Sequence, residues 1–144
     1  MSNFYHSGHL ALQQEFESTA LAERLEELIV HPALDAEAQA FVRAQNHFFL
    51  TTVDQEGFPT VSYKGGNQGF VQVVNETTLR FPCYDGNGMW LSMGNIVDTS
   101  KVGMLFINMV EPHRIRLQGQ ARLLRDARIS VSYTHLTLPT SSQV

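Results

Sequence analysis

The chain has 144 residues, of which 43% are hydrophobic, so it is long enough for one domain with a substantial core and too short for two. Ten Lys and Arg against 14 Asp and Glu give a net charge of −4 without a basic run. This balance argues against a nucleic-acid or anionic-membrane surface, and the expected partner is a small molecule or another protein.

Cysteine content and the N-terminal segment bear on location. The single cysteine, Cys83, excludes an internal disulfide framework and a cysteine-based zinc site, and it fits a reducing compartment. The N-terminus has no basic start followed by an apolar core, and no window approaches the ~20 apolar residues of a membrane span. We therefore expect a cytoplasmic protein.

Residues 1–46 predict a helical N-terminal leader that packs on the remaining domain. Apolar residues recur at helical spacing through residues 10–29, and His31-Pro32 ends that segment. Asp35 is a good N-cap residue and indicates a second helix. The leader is therefore expected to contain two helices.

Residues 47–130 change to the alternating pattern of β-strands. Two hairpins are predicted, followed by an apolar run that indicates a central strand buried on both faces, and then by a clearly alternating strand in which Gly119 indicates a bulge. The predicted strands are residues 47–53, 58–63, 70–74, 78–82, 102–110 and 114–124. Short strands with small turns and one helical interruption are typical of an antiparallel barrel.

The last segment, VSYTHLTLPTSSQV, differs from the preceding strand. Residues 131–144 carry no charge and have Ser or Thr at nearly half of their positions. We interpret them as a non-native tail that resembles translated adapter or vector sequence, and we expect the natural protein to continue beyond about residue 130. A genuine solvent-exposed β-tail is the alternative.

A glycine-rich junction, RFPCYDGNGMWLSMGN, occupies residues 80–95. A strand ends near Pro82, residues 85–88 supply turn residues, and apolar residues at helical spacing follow over residues 89–96. Free N–H groups at the start of such a helix can bind a phosphate. A plain strand-to-helix turn is the alternative interpretation.

A second motif, Ser62-Tyr63-Lys64-Gly65-Gly66, lies at the end of a predicted strand. It supplies a cation, a hydroxyl donor and small residues that allow a ligand to approach the backbone. If it lies beside the glycine-rich junction, the two form a phosphate pocket at one rim of the barrel. Otherwise Lys64 is a solvated lysine on an edge strand.

Four blocks in this order and spacing carry a resemblance: FFLTTVDQEGFPTVSYKGG, LRFPCYDGNGMWLSMGN, VGMLFI and RIRLQGQARL. Over about residues 48–124 the chain resembles the pyridoxamine 5'-phosphate oxidase-related family of FMN-binding split barrels. The resemblance implies a mainly β protein with N-terminal helices, built on a six-stranded antiparallel split β-barrel. It also implies a homodimer that binds FMN between its subunits.

Carried over to this sequence, the resemblance and the two motifs predict cofactor contacts along one strand, at one strand end, at the following turn and near the flavin ring. The expected cofactor-binding residues are Ser62, Tyr63, Lys64, Gly65, Phe81, Pro82, Asn87, Gly88, Met89 and Arg114. Gly88 and Met89 stand where pyridoxamine phosphate oxidases proper place an Arg-Lys pair. Because these two cations are missing, either affinity for FMN comes from Lys64 and backbone N–H groups, or the ligand is a different one.

The predicted function is that of an FMN-dependent oxidoreductase of this superfamily, with an unknown small-molecule substrate and unidentified catalytic residues. The alternative is a non-catalytic split-barrel protein that binds flavin, deazaflavin F420 or haem, so enzyme activity is left open. No metal site is expected, because His6 and His9 lack a third ligand. Phe81, Tyr84 and Trp90 are candidates for a flavin-stacking face, although Trp90 is expected in the core.

Overall fold

Helices at the N-terminus precede a β-sheet in the computed structural model, which describes residues 4–83, 88–111, 113–124 and 128–137. The helices are α1 (Ser7–Glu15), α2 (Thr19–Ile29), α3 (Ala36–Ala44) and α4 (Leu91–Thr99). The strands are β1 (Val30–His31), β2 (His47–Val53), β3 (Pro59–Gly65), β4 (Gln72–Asn75), β5 (Thr78–Pro82), β6 (Lys101–Ile107), β7 (Arg114–Leu123) and β8 (Arg128–Thr137). Among these described elements, no helix is long and apolar enough to cross a membrane.

The apolar stripe of residues 10–29 predicts one helix, but the chain forms two, α1 and α2. The break is a Schellman motif, in which Ser18 N–H donates to Gln13 O (2.8 Å) and Glu17 N–H donates to Gln14 O (3.3 Å). Glu17 holds the left-handed position of this motif with φ of 55°. Since glycine usually occupies that position, Glu17 gave no signal for the break.

Helix α3 begins as predicted at Asp35, whose Oδ1 accepts a hydrogen bond from Ala38 N–H (2.8 Å). Ala38 and Val42 of this helix are buried in the core. Neither α1 nor α2 contains a buried residue. Within the leader, α3 is therefore the helix that joins the core.

All strands belong to one antiparallel sheet with the order β3-β2-β6-β7-β8-β5-β4, and β1 pairs with β8. The predicted fold class, mainly β with N-terminal helices, is confirmed. The six strands predicted from the sequence pattern are all present, and β1 and β8 are added to them among the described residues. Strands β3 and β4 lie at the two ends of the path, so both are edge strands.

Strand β6 lies between β2 and β7, as expected for a central strand, but it is shorter than its apolar run. It ends at Ile107, because the Asn108 side chain starts a turn by accepting from Val110 N–H (2.9 Å) and Glu111 N–H (3.2 Å). Val110 is 93% exposed. Burial on both faces was also predicted wrongly, since only alternate residues are buried: Val102, Met104 and Phe106.

Strand β7 confirms the predicted bulge and, with the exception of Leu123, the alternation that places Ile115, Leu117, Ala121 and Leu123 on the inward face. The register against β8 shifts between Gln118 and Gly119. Ile115, Leu117 and Ala121 are buried, but Leu123 is exposed. The pairing with β6 ends at Gln120, so Leu123 lies beyond the cover that β6 provides.

The start of the predicted tail, at Val131, falls inside β8. Residues 131–137 continue this strand, which pairs with both β5 and β7, and Val131 is fully buried. Residues 138–144 lie outside the described part. The non-native origin of residues 131–144 stays a prediction.

The core lies between the sheet and helices α3 and α4, and an aromatic cluster is at its centre. The ring of Phe48 contacts those of Phe81 (centroids 4.9 Å apart), Phe106 (5.2 Å) and Phe70 (5.8 Å). Large aromatic side chains contribute the most buried apolar area per residue. This cluster fixes β2 against β5 and β6, and it adjoins the strand end that carries Lys64.

Candidate functional site

Strand β3 divides the predicted site residues between two faces of the sheet. Ser62 and Lys64 pair with Leu50 and Phe48 of β2, whose side chains are in the core, so both lie on the core side. Tyr63 lies between them on the outer side and is 63% exposed. The alternation therefore keeps Ser62 and Lys64 together and turns Tyr63 away from them.

The start of α4 lacks a side-chain cap for its first backbone N–H groups. Its N-cap, Trp90, adopts the left-handed conformation with φ of 55° and makes no side-chain cap hydrogen bond. The first intrahelical bond is from Gly94 N–H to Trp90 O (2.7 Å). The preceding N–H groups, those of Leu91, Ser92 and Met93, point out of the first turn without an acceptor within the helix.

The two motifs meet at a pair of hydroxyl groups. Ser62 Oγ on β3 lies 3.5 Å from Ser92 Oγ in the first turn of α4. Lys64 follows two residues later on the same face of β3, about 7 Å along the strand. Within the described residues, no carboxylate lies at salt-bridge distance from Lys64. A cation, two hydroxyls and a helix N-terminus therefore share one corner of the molecule.

The turn before α4 is described only in part. Asn87, one of the predicted contacts, and Tyr84, a candidate for the stacking face, lie outside the described residues. Gly88 has φ of 74°, which explains why glycine occupies this position, and Met89 is exposed. Neither residue supplies a positive charge to the turn.

The predicted residues Phe81 and Pro82 end β5, and the ring of Phe81 lies against Phe48, the β2 partner of Lys64. Phe81 is fully buried in the aromatic core. Together with the loop after β3, these two residues line a pocket of about 350 Å³. Its lining residues are Asn67, Gln68, Gly69, Phe70, Gln72, Phe81 and Pro82. The lining side chains include amide groups and no charged group, which suits a neutral part of a ligand. The sequence pattern indicated only a connecting loop here.

Gly65 and Gly66 were expected to let a ligand approach the backbone. In the structure, the aromatic rings of Tyr63 and Phe70 pack against these two glycines. A Cβ at Gly65 would lie 2.8 Å from Tyr63 Cε1, and one at Gly66 would lie 2.8 Å from Phe70 Cγ. Any side chain at either position would displace a ring. These glycines therefore let the two rings fold back over the strand end.

Arg114 lies on the outer face of the sheet, and its contact with the cofactor stays a prediction. Arg114 begins β7, three strands from β3, on the face opposite to Ser62 and Lys64. Trp90 is 50% exposed, so its expected place in the core was wrong. The core-facing positions of α4 are taken instead by Met93, Asn95 and Ile96.

The outer face of β3, β2 and β6 carries an apolar group that we call the outer patch, which consists of the exposed Val61 and Tyr63 and the half-buried Phe49 and Leu105. Tyr63, Phe49 and Leu105 lie in one cross-strand row. Tyr63 stacks on His47 (centroids 5.7 Å, interplanar angle 17°) and meets Phe49 edge-on. Val61 is 72% exposed.

Buried polar groups hold α4 on the sheet, and the sequence reasoning missed them. Asn95 Nδ2 donates to Thr52 Oγ1 (3.0 Å), and the hydroxyls of Thr52 and Thr60 are 2.5 Å apart. At the other end of the helix, Thr99 Oγ1 donates to Val53 O (2.8 Å). The sequence signal that could have indicated them is Asn95, a polar residue on the otherwise apolar face of α4.

Comparisons with known proteins agree on the fold. The family model for pyridoxamine 5'-phosphate oxidase matches residues 34–136, whereas no curated protein matches significantly. HupZ of Group A Streptococcus superimposes with a TM-score of 0.59 at 15% identity, covering 77% of this chain and 97% of that chain. A putative pyridoxamine 5'-phosphate oxidase from Lactobacillus delbrueckii gives 0.59 at 19% identity, covering 74% and 94%. A protein related to general stress protein 26, from Clostridium acetobutylicum, gives 0.51 at 10% identity, covering 74% and 88%. Since the family model matches more than half of this chain, the chain belongs to the pyridoxamine 5'-phosphate oxidase family.

Proposed function

We propose that the protein binds FMN and acts as an FMN-dependent oxidoreductase on a small-molecule substrate. The observation that supports this most directly is the contact between Ser62 of β3 and Ser92 of α4. It brings the strand that carries Lys64 beside a helix N-terminus without a side-chain cap. A phosphate monoester needs such a combination of N–H donors, hydroxyl donors and a cation.

The phosphate site has one cation where pyridoxamine phosphate oxidases proper are expected to have more. Gly88 and Met89 bring no charge to the turn before α4. Lys64 and the N–H groups of residues 91–93 therefore carry the recognition of the phosphate. When bound, FMN supplies the hydride chemistry, while the chain binds and orients it.

We further propose that the functional unit is a homodimer. Tyr63 and Arg114 lie on the outer face, away from Ser62 and Lys64 of the same chain. A second subunit packed on the outer patch would bury its apolar side chains and could bring these two residues toward a cofactor between the subunits. We expect the dimer in the cytoplasm, because the single cysteine fits a reducing compartment.

Titration of the purified protein with FMN and riboflavin tests the proposal. We expect FMN to bind at least about tenfold more tightly than riboflavin, because only FMN carries the phosphate. Equal affinities, or no binding of either, would contradict the site. A Soret band in the purified protein would favour the haem-binding alternative, and tight binding of deazaflavin F420 would favour that cofactor.

Enzyme activity is tested separately from binding. The FMN-loaded protein is mixed with NADH or NADPH under anaerobic conditions, and loss of flavin absorbance is followed. Reduction at a rate well above that of free FMN supports an oxidoreductase. Tight binding without such reduction indicates a flavin-binding protein that does not use these donors.

A further inference from the structure

Helix α4 places an amide side chain where an apolar one is usual. Asn95 is 6% exposed and lies on the core face of the helix with Met93 and Ile96. A buried amide costs free energy unless it is hydrogen-bonded. Asn95 meets this requirement by donating to Thr52, which is itself fully buried.

The hydrogen bonds continue from the helix to the edge strand. Asn95 Nδ2 donates to Thr52 Oγ1 (3.0 Å), and the Thr52 hydroxyl shares a hydrogen bond with that of Thr60 (2.5 Å). Thr52 lies on β2 and Thr60 on β3, so three elements are joined in line. We call this series the polar chain.

The polar chain runs beside the proposed phosphate site, deeper in the molecule. Thr60 precedes Ser62 by two residues, so both lie on the core face of β3. Asn95 follows Ser92 by three residues, so both lie on one side of α4. The hydrogen bonds of the polar chain are 3.0 Å and 2.5 Å long, whereas the hydroxyls of Ser62 and Ser92 are 3.5 Å apart.

Directional bonds can fix what apolar packing alone leaves adjustable. Apolar side chains at these positions would also fill the core, but they would not select one rotation or height of α4 against β3. The polar chain selects both. Its hydrogen bonds therefore join α4 to β3, the strand that carries Lys64.

We propose that Asn95 is a positioning residue, which acts through Thr52 and Thr60 to hold the α4 N-terminus at the spacing from Lys64 that a phosphate requires. Its effect would be selectivity for a phosphorylated flavin over the unphosphorylated one. This inference rests on the proposed phosphate site. It assigns to the polar chain a role beyond that of stabilising the fold.

Two matched substitutions separate positioning from stability. Thr52→Val removes the middle hydroxyl of the polar chain, and Thr99→Val removes a hydroxyl that anchors the opposite end of the same helix. We expect Thr52→Val to lower the affinity for FMN by about tenfold while leaving that for riboflavin within about twofold. Thr99→Val should leave the ratio of the two affinities unchanged. An equal change of this ratio in both variants overturns the proposal.

If the wild-type protein binds neither flavin, the proposed function is refuted. The same variants still test the inference about Asn95 in that case. Hydrogen exchange of the amides of residues 94–96, the first that are hydrogen-bonded within α4, is then compared. Faster exchange in Thr52→Val than in Thr99→Val supports positioning, and equal exchange overturns it. If Thr52→Val does not fold, Thr60→Val removes the last hydroxyl of the polar chain from a half-buried position.

Discussion

Lys64 is the residue on which the proposed phosphate site depends most. It is half-buried on the core side of β3, two residues after Ser62, whose hydroxyl lies 3.5 Å from that of Ser92 in the first turn of α4. A hydrogen bond to a charged group typically contributes about 1.5–3 kcal/mol, more than one between neutral groups. With no cation at Gly88 or Met89, no residue of that turn compensates for the loss of this charge.

Replacing Lys64 by alanine should therefore weaken FMN binding by roughly tenfold or more, with little effect on riboflavin. Both affinities are measured by fluorescence titration. Lys101→Ala is the control, because Lys101 is exposed on the outer side of β6. Equal affinity of Lys64→Ala and wild-type protein for FMN would refute the role of Lys64.

The local sequence motif was enough to predict Ser62 and Lys64 as candidate site residues, but it could not predict the polar chain. The pattern of β2, HFFLTTV, is typical of an ordinary strand, and threonine is common in strands. The partner of Thr52 is Asn95, 43 residues further along the chain. Such a pairing depends on tertiary contact, so only the structure could show it.

Local signals determined how well each helix and turn was predicted. Asp35 marks the start of α3 and Gly57 marks the β2–β3 turn, since both residue types have a strong conformational preference. Glu17 and Trp90 adopt left-handed conformations without that preference. The α1–α2 break was therefore missed, and α4 begins two residues later than expected.

The cap of α3 can be tested by Asp35→Ala. Loss of the hydrogen bond to Ala38 N–H should lower the free energy of unfolding by about 1 kcal/mol. Urea unfolding followed by circular dichroism measures the change. Glu27→Ala, an exposed acidic residue of α2, is the control and should change it by less than about 0.5 kcal/mol. Similar losses in both variants would argue against the cap.

Two glycine-to-alanine changes should have opposite signs. Gly57 has φ of 89° in its turn, so alanine there should destabilise the protein by about 1–2 kcal/mol. Gly94 is exposed within α4, and alanine there should stabilise it by about 0.5–1 kcal/mol. An added Cβ meets no atom within 4 Å at either position. Equal signs in urea unfolding would show that backbone conformation does not control the effect.

At the scale of the whole molecule, pairings between distant strands decide the arrangement. The two predicted hairpins, β2–β3 and β4–β5, formed because short turns join their strands. The positions of β6 beside β2 and of β8 beside β5 required contacts between distant parts of the chain. The alternation within each strand could not specify these neighbours, although the family resemblance supplied the fold class.

The sheet also creates the outer patch, which no single strand could reveal. Val61 and Tyr63 were predicted within one strand, but only the register of β3, β2 and β6 brings Tyr63 into a row with Phe49 and Leu105. An apolar row on an exposed edge of a sheet is a typical interaction surface. For a chain of this family, a second copy of the chain is the occupant we propose.

A charge on this patch should separate the subunits. Val61→Asp places a carboxylate among the apolar side chains that the dimer would bury, so we expect a monomer where the wild-type protein is a dimer at micromolar concentration. Sedimentation velocity measures the mass of each. Val74→Asp is the matched control, because Val74 is exposed on β4, the opposite edge strand, and should leave the dimer intact. The FMN affinity of Val61→Asp should fall with the loss of the dimer, because the proposed cofactor site takes residues from both chains. A dimer of unchanged stability in Val61→Asp would exclude the outer patch as its interface.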